Sequence, residues 1–459
     1  MAAGAQADTA ASPAQGARRV AWWLFAAGVA LYMLLSAQGL LALGIPYDAP
    51  YGPFIAKLHP GTWLVTIACL ILLASHGHPM RVAAAQLAAQ PLLALYLGCI
   101  FFIFAYSIAR YGPSGAAFFI DTLVMPGICA LTLLMLETRR RHACLVIVMG
   151  LLVANTLLGL GESLLHTRLI PMRLGGEAEM VEDIFRPSAF LGHPLANALI
   201  TATLLPLALH LRIAMAWRCA LLLLLWVGLL GFGGRTSFVL ATLVFGSYFA
   251  LQVGSAILRG RFSYAQLIGG ALVVMLMAAV LAVAIGESGI GERIFKSLVW
   301  DNSASVRTRI WNVFQFVPTQ DMLIGVSPAE IADLIWRLGL TGPGESIENF
   351  WLVMFLQLGA IGFVPFMVAM GCALAWLWKS SRGAVRLAVL MFFVAASSNN
   401  SLASKSVSFT MLFIAVATTR KAQARPRALY ATSYDINETR ARRDASGYTW
   451  RPASMRSFP

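Results

Sequence analysis

The sequence predicts an all-α, polytopic integral membrane protein, and three observations lead to that class. Hydrophobic residues make up 59% of the chain and charged residues only 12%, and the mean hydropathy is +0.75. So little polar surface cannot cover so large a core in water. Runs such as 219–232 and 266–286 are long and apolar enough for bilayer helices, and no alternating pattern favours a lipid-facing barrel.

Apolar runs separated by loop signals predict about twelve transmembrane helices. They lie at residues 20–43, 61–76, 87–109, 116–136, 143–165, 193–211, 217–232, 236–257, 264–286, 346–378, 386–400 and 404–419. Serines and asparagines crowd the turn between the last two, so a re-entrant hairpin stays open there. These helices form one domain, 20–419. Residues 1–19 are expected to be disordered and 420–459 to form a basic, solvated tail.

The distribution of basic residues predicts which side each connection occupies. Most of the 34 lysines and arginines fall on alternate connections, on the side of the N-terminus, and in the tail. By the positive-inside rule both termini are cytoplasmic. The net charge of +14 is thus divided by side of the membrane and is not gathered into one patch with interleaved aromatics, so no nucleic-acid partner is predicted.

Neither cysteine nor histidine spacing predicts a metal site. The six cysteines all lie in apolar segments, where cysteine behaves as a small hydrophobic residue. The seven histidines are scattered over both sides of the membrane. We therefore expect no disulfide framework, no metal and no cofactor.

Two predicted connections on the non-cytoplasmic side are long, 166–192 and 287–345. The larger one joins the ninth and tenth helices. Together with the short turn before the eighth helix they carry arginines that the positive-inside bias disfavours there: Arg168, Arg173, Arg186, Arg235, Arg293, Arg307, Arg309 and Arg337. Basic residues on this side predict an anionic ligand.

Arg235 follows two glycines and precedes the eighth helix, so a guanidinium stands beside exposed helix N–H groups. For an isolated arginine, a snorkelling side chain beside a helix cap is the commoner role. Arg186 and His193 lie in a segment that Pro187 and Pro194 predict to be extended, so both residues can face one pocket. A lone histidine at a helix start is, however, more often a cap.

The larger loop offers two further groups of candidates. Arg307 and Arg309 precede an amphipathic run, which equally suits an interfacial helix anchored by Trp311. Glu345, Glu348 and Asn349 lie at the predicted start of the tenth helix, where acids commonly interact with the helix dipole. A carboxylate at such a water boundary also suits a general base.

The order of these elements resembles the O-antigen ligase and Wzy-type polysaccharide polymerase superfamily of bacterial inner membranes, particularly its exopolysaccharide polymerases. The resemblance covers most of the chain. It rests on Arg186 with His193-Pro194, on Arg235 after glycines, on Arg307 to Trp311, and on Glu348-Asn349-Phe350-Trp351 followed by Gly359 and Gly362. In the ligase branch a histidine stands where this chain has Glu348, and the polymerase branch has an acid there.

The resemblance implies a GT-C-like fold and a metal-independent glycosyltransferase in the inner membrane. Its donor and acceptor would be undecaprenyl-pyrophosphate-linked glycans, and its partners the bilayer and other polysaccharide assembly and export proteins. It implies catalytic roles for Glu348, Arg235 and Arg307. It also implies substrate-binding roles, which fall to Arg186, His193, Arg309, Glu345 and Asn349.

Two alternatives remain at the level of the sequence. A glycan ligase would use the same donor and a different acceptor. A twelve-helix secondary transporter would use intramembrane acids, for which Asp121 and Glu162 are the candidates. Both acids can instead line the same outward cavity. No convincing repeat between two six-helix halves supports the transporter.

Overall fold

The computed structural model describes residues 13–49, 52–174, 178–179, 185–260, 308–340, 347–398 and 402–420. These residues are helical apart from turns, connections and one small ribbon. In the ribbon, β1 (Arg173–Leu174) pairs antiparallel with β2 (Ala178–Glu179). The all-helical class is therefore confirmed for the part of the chain that the structure describes.

The first half of the chain supplies eight α-helices within these ranges. They are α1 (Pro13–Leu34), α2 (Ala37–Ala42), α3 (Pro60–Ala74), α4 (Pro79–Ala88), α5 (Pro91–Tyr111), α6 (Ala116–Phe118), α7 (Met125–Met135) and α8 (Thr138–Leu165). A π-helical turn, Phe119–Val124, joins α6 to α7, and 3-10 turns form at Phe54–Lys57 and Gly112–Gly115.

The second half supplies eight more within the described ranges. They are α9 (Pro194–Leu204), α10 (Met215–Phe232), α11 (Arg235–Leu258), α12 (Thr319–Ile324), α13 (Pro328–Arg337), α14 (Phe350–Ser380), α15 (Ala384–Ser397) and α16 (Ser408–Thr419). Two 3-10 helices occupy Leu205–His210 and Ile310–Gln315.

Among the described residues, 5 helices are long and apolar enough to cross a membrane, namely α5, α8, α10, α11 and α14. The bent pair α3 and α4, which meet at 103°, makes a sixth if it forms one span. Shorter apolar helices occupy Phe119–Met135, Pro194–His210, Ala384–Ser397 and Ser408–Thr419. The chain is thus a multi-pass helical membrane protein. A total of twelve spans stays a prediction, since the predicted helix 264–286 lies outside the described residues.

Several predicted boundaries were wrong. The predicted helix 20–43 is divided into α1 and α2, because Ser36 leaves the helical path and its Oγ accepts the N–H of Gly39 at 3.1 Å. Residues 13–19, predicted to be disordered, belong to α1, where the carbonyl of Arg18 accepts a hydrogen bond from Arg140 Nη1 at 2.8 Å. The sequence did not predict α4 as a separate helix. Residues 1–12 and 421–459 lie outside the described ranges.

The bundle has two chemically different ends. At the first, which we call the basic end, Arg141 Nη1 donates to the carbonyl of Arg420 at 3.4 Å, and Arg420 and Trp376 both donate to Gln90 Oε1. Arg141 and Arg420 belong to segments that the positive-inside rule predicts on one side of the membrane, and the structure brings these two residues into contact. We call the opposite end, which carries connections 166–192 and 308–340, the loop end.

The core between the two ends is aromatic and apolar. Phe392 and Phe409 stack with ring centroids 5.6 Å apart, and Trp376 stacks on Phe413 at 5.3 Å. Tyr96 of α5 lies against both Phe409 and Phe413. These rings join α5, α14, α15 and α16 into one packed unit, so the loop end rests on a rigid base.

Candidate functional site

Glu162 holds the segment that carries Arg186. It lies near the C-terminal end of α8 and is only 4% exposed. Its Oε1 accepts the N–H of Leu169 at 2.8 Å, and its Oε2 accepts those of Ser188 and Ala189, each at 2.9 Å. One buried carboxylate therefore fixes both the beginning and the end of the connection between α8 and α9.

Two buried asparagines extend this anchor. Asn155 Oδ1 accepts the N–H of Phe190 at 3.0 Å, and its Nδ2 donates to Asn197 Oδ1 at 2.8 Å. Asn197 Nδ2 donates in turn to the carbonyls of Ser188 at 2.6 Å and His193 at 3.1 Å. The segment 185–192 is thereby tied to α8 and to the first turn of α9.

Arg186 is 7% exposed, a high degree of burial for an arginine at the loop end. Its carbonyl accepts from Arg168 Nε at 3.1 Å, and the Arg168 guanidinium lies over the Phe185 ring at 5.1 Å. The predicted extended conformation is wrong beyond Ser188, because Ala189 has φ 41°. The turn brings two consecutive N–H groups, those of Ser188 and Ala189, onto Glu162.

His193 caps α9. Its Nδ1 accepts the N–H of Leu195 at 3.2 Å, and the residue is exposed. The structure thus gives His193 the capping role that the sequence left open. A part in binding substrate stays a prediction.

The turn that carries Arg235 packs on the same helix. Gly233, with φ 67°, ends α10, and Arg235 is the first residue of α11. Gly234 lies so close to Ala198 that a Cβ at position 234 would overlap the Ala198 side chain. Because Ala198 follows Asn197, the Arg235 turn and the Arg186 segment are both anchored on the first two turns of α9.

The larger loop contributes Arg309, which is partly buried. Its Nη1 donates to the carbonyl of Gly339 at 3.4 Å. The 3-10 helix that follows buries Ile310 and Val313, and its Phe314 contacts Phe355 of α14 edge to face at 5.9 Å. Arg307, the predicted catalytic neighbour, lies outside the described residues, as does Arg293.

This loop is fastened to a break in α14. At Gly359 the helix has φ 59° and ψ 178°, which interrupts its hydrogen bonds. Val326 N–H donates to the carbonyl of Leu356 at 2.8 Å. Gly325, with φ 85°, lies against Gly359 so closely that a Cβ on either residue would overlap the other's backbone.

The end of α5 completes the fastening. Tyr106 Oη donates to the carbonyl of Ile324 at 2.7 Å, and Arg110 Nη2 donates to that of Gly325 at 3.3 Å. Tyr111 Oη donates to the carbonyl of Gln357 at 3.0 Å, within the broken turn of α14. We call these contacts, together with the pair Gly325 and Gly359, the glycine junction.

Glu348 and Asn349 stand just before α14, which begins at Phe350 and not at the predicted residue 346. Asn349 Oδ1 accepts the N–H of Leu352 at 3.1 Å, so Asn349 is the N-cap. Glu348 precedes the cap and is partly buried. Glu345 lies outside the described residues.

The start of α14 is connected to the arginine-bearing region through α15. Trp351 Nε1 donates to Ser397 Oγ at 2.9 Å, at the end of α15. The same helix packs against α9 and α11, which carry His193 and Arg235 at their starts. The segments that carry Glu348, Arg186 and Arg235 are therefore all attached to one packed group of helices at the loop end.

Asp121 forms a separate cluster in the π-helical turn. Its Oδ2 accepts from Tyr47 Oη and from the N–H of His59, both at 2.9 Å, and its Oδ1 accepts from Thr62 Oγ1 at 2.6 Å. Lys405 lies over the Tyr47 ring at 4.5 Å and bonds the Tyr47 carbonyl. Asp121 thus joins Tyr47, His59 and Thr62 to the π-helical turn, and Lys405 links Tyr47 to the segment before α16.

Sequence reasoning missed several of these residues. Lys405 and Arg110 lie on the predicted non-cytoplasmic side, and the charge asymmetry that singled out Arg235 applied to them as well. The anchoring role of Glu162 had no sequence signal, because its three donors are backbone groups. The prediction that Glu162 and Asp121 line one cavity gains no support, since each carboxylate has its own set of donors.

Within the described ranges, no group of three or more His, Cys, Asp or Glu side chains is placed to hold a metal ion. All six cysteines are free thiols. The fold defines a multi-pass helical membrane protein. No family model matches the chain, and no curated protein matches it.

Proposed function

We propose that the protein is a membrane glycosyltransferase that polymerises undecaprenyl-pyrophosphate-linked oligosaccharide repeats. The observation that carries the proposal is the anchoring of two arginine-bearing segments, those of Arg186 and Arg235, on the first turns of α9. Arginine suits a diphosphate because its planar fork binds oxyanions through paired hydrogen bonds. A fixed pair of such segments at the loop end supports binding of the donor's pyrophosphate there.

In this proposal the arginines stabilise the charge that develops on the leaving pyrophosphate. Groups held in place before the reaction stabilise developing charge best, since they do not reorganise during the step. The Glu162 anchor supports such pre-organisation of Arg186. Arg307 and Arg309 would add charge from the larger loop, and His193 would contact the donor near Arg186.

Glu348 would act as the general base. The acceptor sugar hydroxyl attacks the anomeric carbon of the donor, the bond from that carbon to the pyrophosphate oxygen breaks, and the hydroxyl proton passes to the Glu348 carboxylate. The position of Glu348 beside the capped start of α14, whose Trp351 bonds Ser397 of α15, supports this assignment. Glu345 and Asn349 would orient the acceptor.

The proposed location is the bacterial inner membrane, with the loop end in the periplasm and both termini in the cytoplasm. The gathering of arginines at the opposite end supports that orientation, since basic residues favour the cytoplasmic side. Polysaccharide assembly and export proteins would be its partners.

Reconstitution of the purified protein with a defined lipid-linked repeat tests this function. The wild type should convert single repeats into a ladder of longer products on a gel. Arg235→Ala and Glu348→Gln should each lower the rate by on the order of a hundredfold or more. Arg382→Ala, which removes an exposed charge from the basic end, is the matched control and should leave the rate unchanged. Full-length polymer from correctly inserted Arg235→Ala and Glu348→Gln variants would refute the proposal.

A glycan ligase differs only in its acceptor, so cells that lack the protein separate the two. Loss of a polymerase leaves single repeats on the lipid carrier or on its acceptor. Loss of a ligase leaves long lipid-linked polymer. The acid at position 348, where the ligase branch has histidine, favours the polymerase.

A further inference from the structure

Four arginines lie in two contacting pairs at the basic end. Arg18 lies in α1, Arg140 and Arg141 lie in the first turn of α8, and Arg420 follows α16. Arg140 Nη1 donates to the carbonyl of Arg18 at 2.8 Å, and Arg141 Nη1 to that of Arg420 at 3.4 Å. We call these four residues the arginine cluster. The Nη1 atoms of Arg140 and Arg141 thus bond backbone carbonyls, and Arg420 Nη1 donates to the side-chain carbonyl of Gln90 at 2.8 Å.

Acids are scarce around this cluster. In the described segments 13–19, 75–90, 136–142, 379–386 and 420, Glu137 is the one acidic residue, and it is exposed. The same segments also carry Arg19, Arg81, Arg139, Lys379, Arg382 and Arg386. Arginines in the first turn of α8 also face the positive end of its dipole, which disfavours cations. A bound anion would relieve both sources of repulsion.

One atom of the cluster points to a missing hydrogen-bond acceptor. Arg18 Nε is buried and has no hydrogen-bond partner among the residues that the structure describes. Buried N–H groups in folded proteins nearly always have a partner. Arg141, which is 6% exposed, follows Arg140 in the chain, and Arg140 Nη1 bonds the carbonyl of Arg18. Positive charge and the Arg18 Nε donor therefore occur in the same region.

We propose that the arginine cluster binds the phosphodiester headgroup of an anionic phospholipid. The surroundings select a lipid over a soluble phosphate. Large apolar side chains project from the same two helices near the cluster, since Trp23 of α1 is 61% exposed and Val146 of α8 is 50% exposed. Such side chains suit acyl chains, and tryptophan is typical of the membrane interface. Basic pockets between membrane helices bind anionic headgroups in this way.

Lipid retention by the purified full-length protein tests the site. Native mass spectrometry in mixed micelles would compare phosphatidylglycerol with phosphatidylcholine. The wild type should retain phosphatidylglycerol preferentially. Arg18→Ala combined with Arg140→Ala should weaken this binding about thirtyfold, the effect of two arginines at the membrane surface. Arg81→Ala combined with Arg212→Ala removes two exposed charges from the same end and should leave the binding within about threefold of the wild type.

Further arms separate the proposal from its alternatives. Arg18→Lys combined with Arg140→Lys keeps both charges and should retain binding within about fivefold, which distinguishes loss of charge from loss of fold. Equal retention of the two lipids, equal losses in the cluster and control variants, or a loss in the lysine variant as large as in the alanine variant would each overturn the proposal. Displacement of the lipid by an equal concentration of inorganic phosphate would also overturn it. The test requires no glycosyltransferase activity, so its outcome is independent of the proposed function.

Discussion

The two connections of the loop end are anchored to the helices by different kinds of side chain. In the first, 166–192, side-chain oxygens of Glu162 and Asn155 accept hydrogen bonds from four loop N–H groups. In the second, 308–340, the hydroxyls of Tyr106 and Tyr111 and the guanidinium of Arg110 donate to carbonyls of the loop and of the broken helix. A turn with buried N–H groups needs acceptors, whereas a broken helix needs donors for its freed carbonyls.

The difference separates anchoring residues from candidate functional residues. The sequence singled out arginines in both loops. The structure shows that the buried Glu162 anchors the first loop and the glycine junction anchors the second. Arg186 lies within the better-buried anchor, and Arg309 makes one long hydrogen bond at the surface of its loop. We therefore expect Arg186 to be fixed in advance and Arg309 to adjust to a ligand.

Removing the acceptor of the first loop should have the largest effect. Glu162→Ala leaves three loop N–H groups without their acceptor inside the protein, and we expect the free energy of unfolding to fall by about 4 kcal/mol. Thermal unfolding in detergent measures it. Glu137→Ala, in an exposed acid just before the same helix, should change the value by less than about 0.5 kcal/mol. Equal effects of the two substitutions would show that Glu162 anchors nothing.

Breaking the glycine junction should cost somewhat less. Gly359→Ala places a Cβ against the Gly325 backbone and forces alanine to φ 59°, so we expect a loss of about 3 kcal/mol. Gly371→Ala is the matched control, because position 371 lies within α14 with open space around it. That substitution should be neutral or stabilise by up to about 1 kcal/mol. A stable Gly359→Ala variant would mean that the second loop is held elsewhere.

A third anchor, beside Asp121, uses acceptors and donors together and responds to pH. Burial lowers the pKa of His59 from 6.5 to about 4. The neutral ring is required because its Nδ1 accepts the N–H of Gly61 at 3.0 Å, while its Nε2 bonds the carbonyl of Leu35 at 2.7 Å. Since the unfolded chain takes up this proton more readily, stability is fully present above pH 6.5 and is lost as pH falls toward 4.

At pH 5 the resulting loss in the free energy of unfolding amounts to about 2 kcal/mol. Thermal unfolding midpoints measured at pH 7.5 and at pH 5 test this loss. The midpoint should be lower at pH 5 in the wild type and in the control variant His78→Asn, which changes an exposed histidine. In His59→Asn the loss should be much smaller, because the buried titrating group is gone. An unchanged pH dependence in His59→Asn would assign the effect to other groups.

The smallest effect tests whether the second loop depends on single donors. Tyr106→Phe removes one hydrogen bond to Ile324 and should cost about 1 kcal/mol. Combined with Gly359→Ala it should cost less than the sum of the two, because both changes act on the glycine junction. Strict additivity in this double-mutant cycle would indicate that Tyr106 and Gly359 act independently.

The sequence by itself determined the class of protein, and it predicts which of the charged segments lie at the same end. With 59% hydrophobic residues the chain is expected to form apolar helices. The asymmetry of arginine predicts Arg18, Arg140, Arg141 and Arg420 on one side, and the structure pairs Arg140 with Arg18 and Arg141 with Arg420. Hydropathy and charge can be assigned along the chain because each is a property of short segments.

Only the tertiary structure decided which residues contact one another. The sequence treated Glu162 and Asp121 as equivalent intramembrane acids, but one accepts loop N–H groups and the other joins a tyrosine, a threonine and a helix start. It also missed that Gly325 and Gly359 meet. A carboxylate's donors, or the neighbour of a glycine, come from segments distant along the chain. Which of them meet depends on how the helices pack and where they break, and no local pattern encodes that.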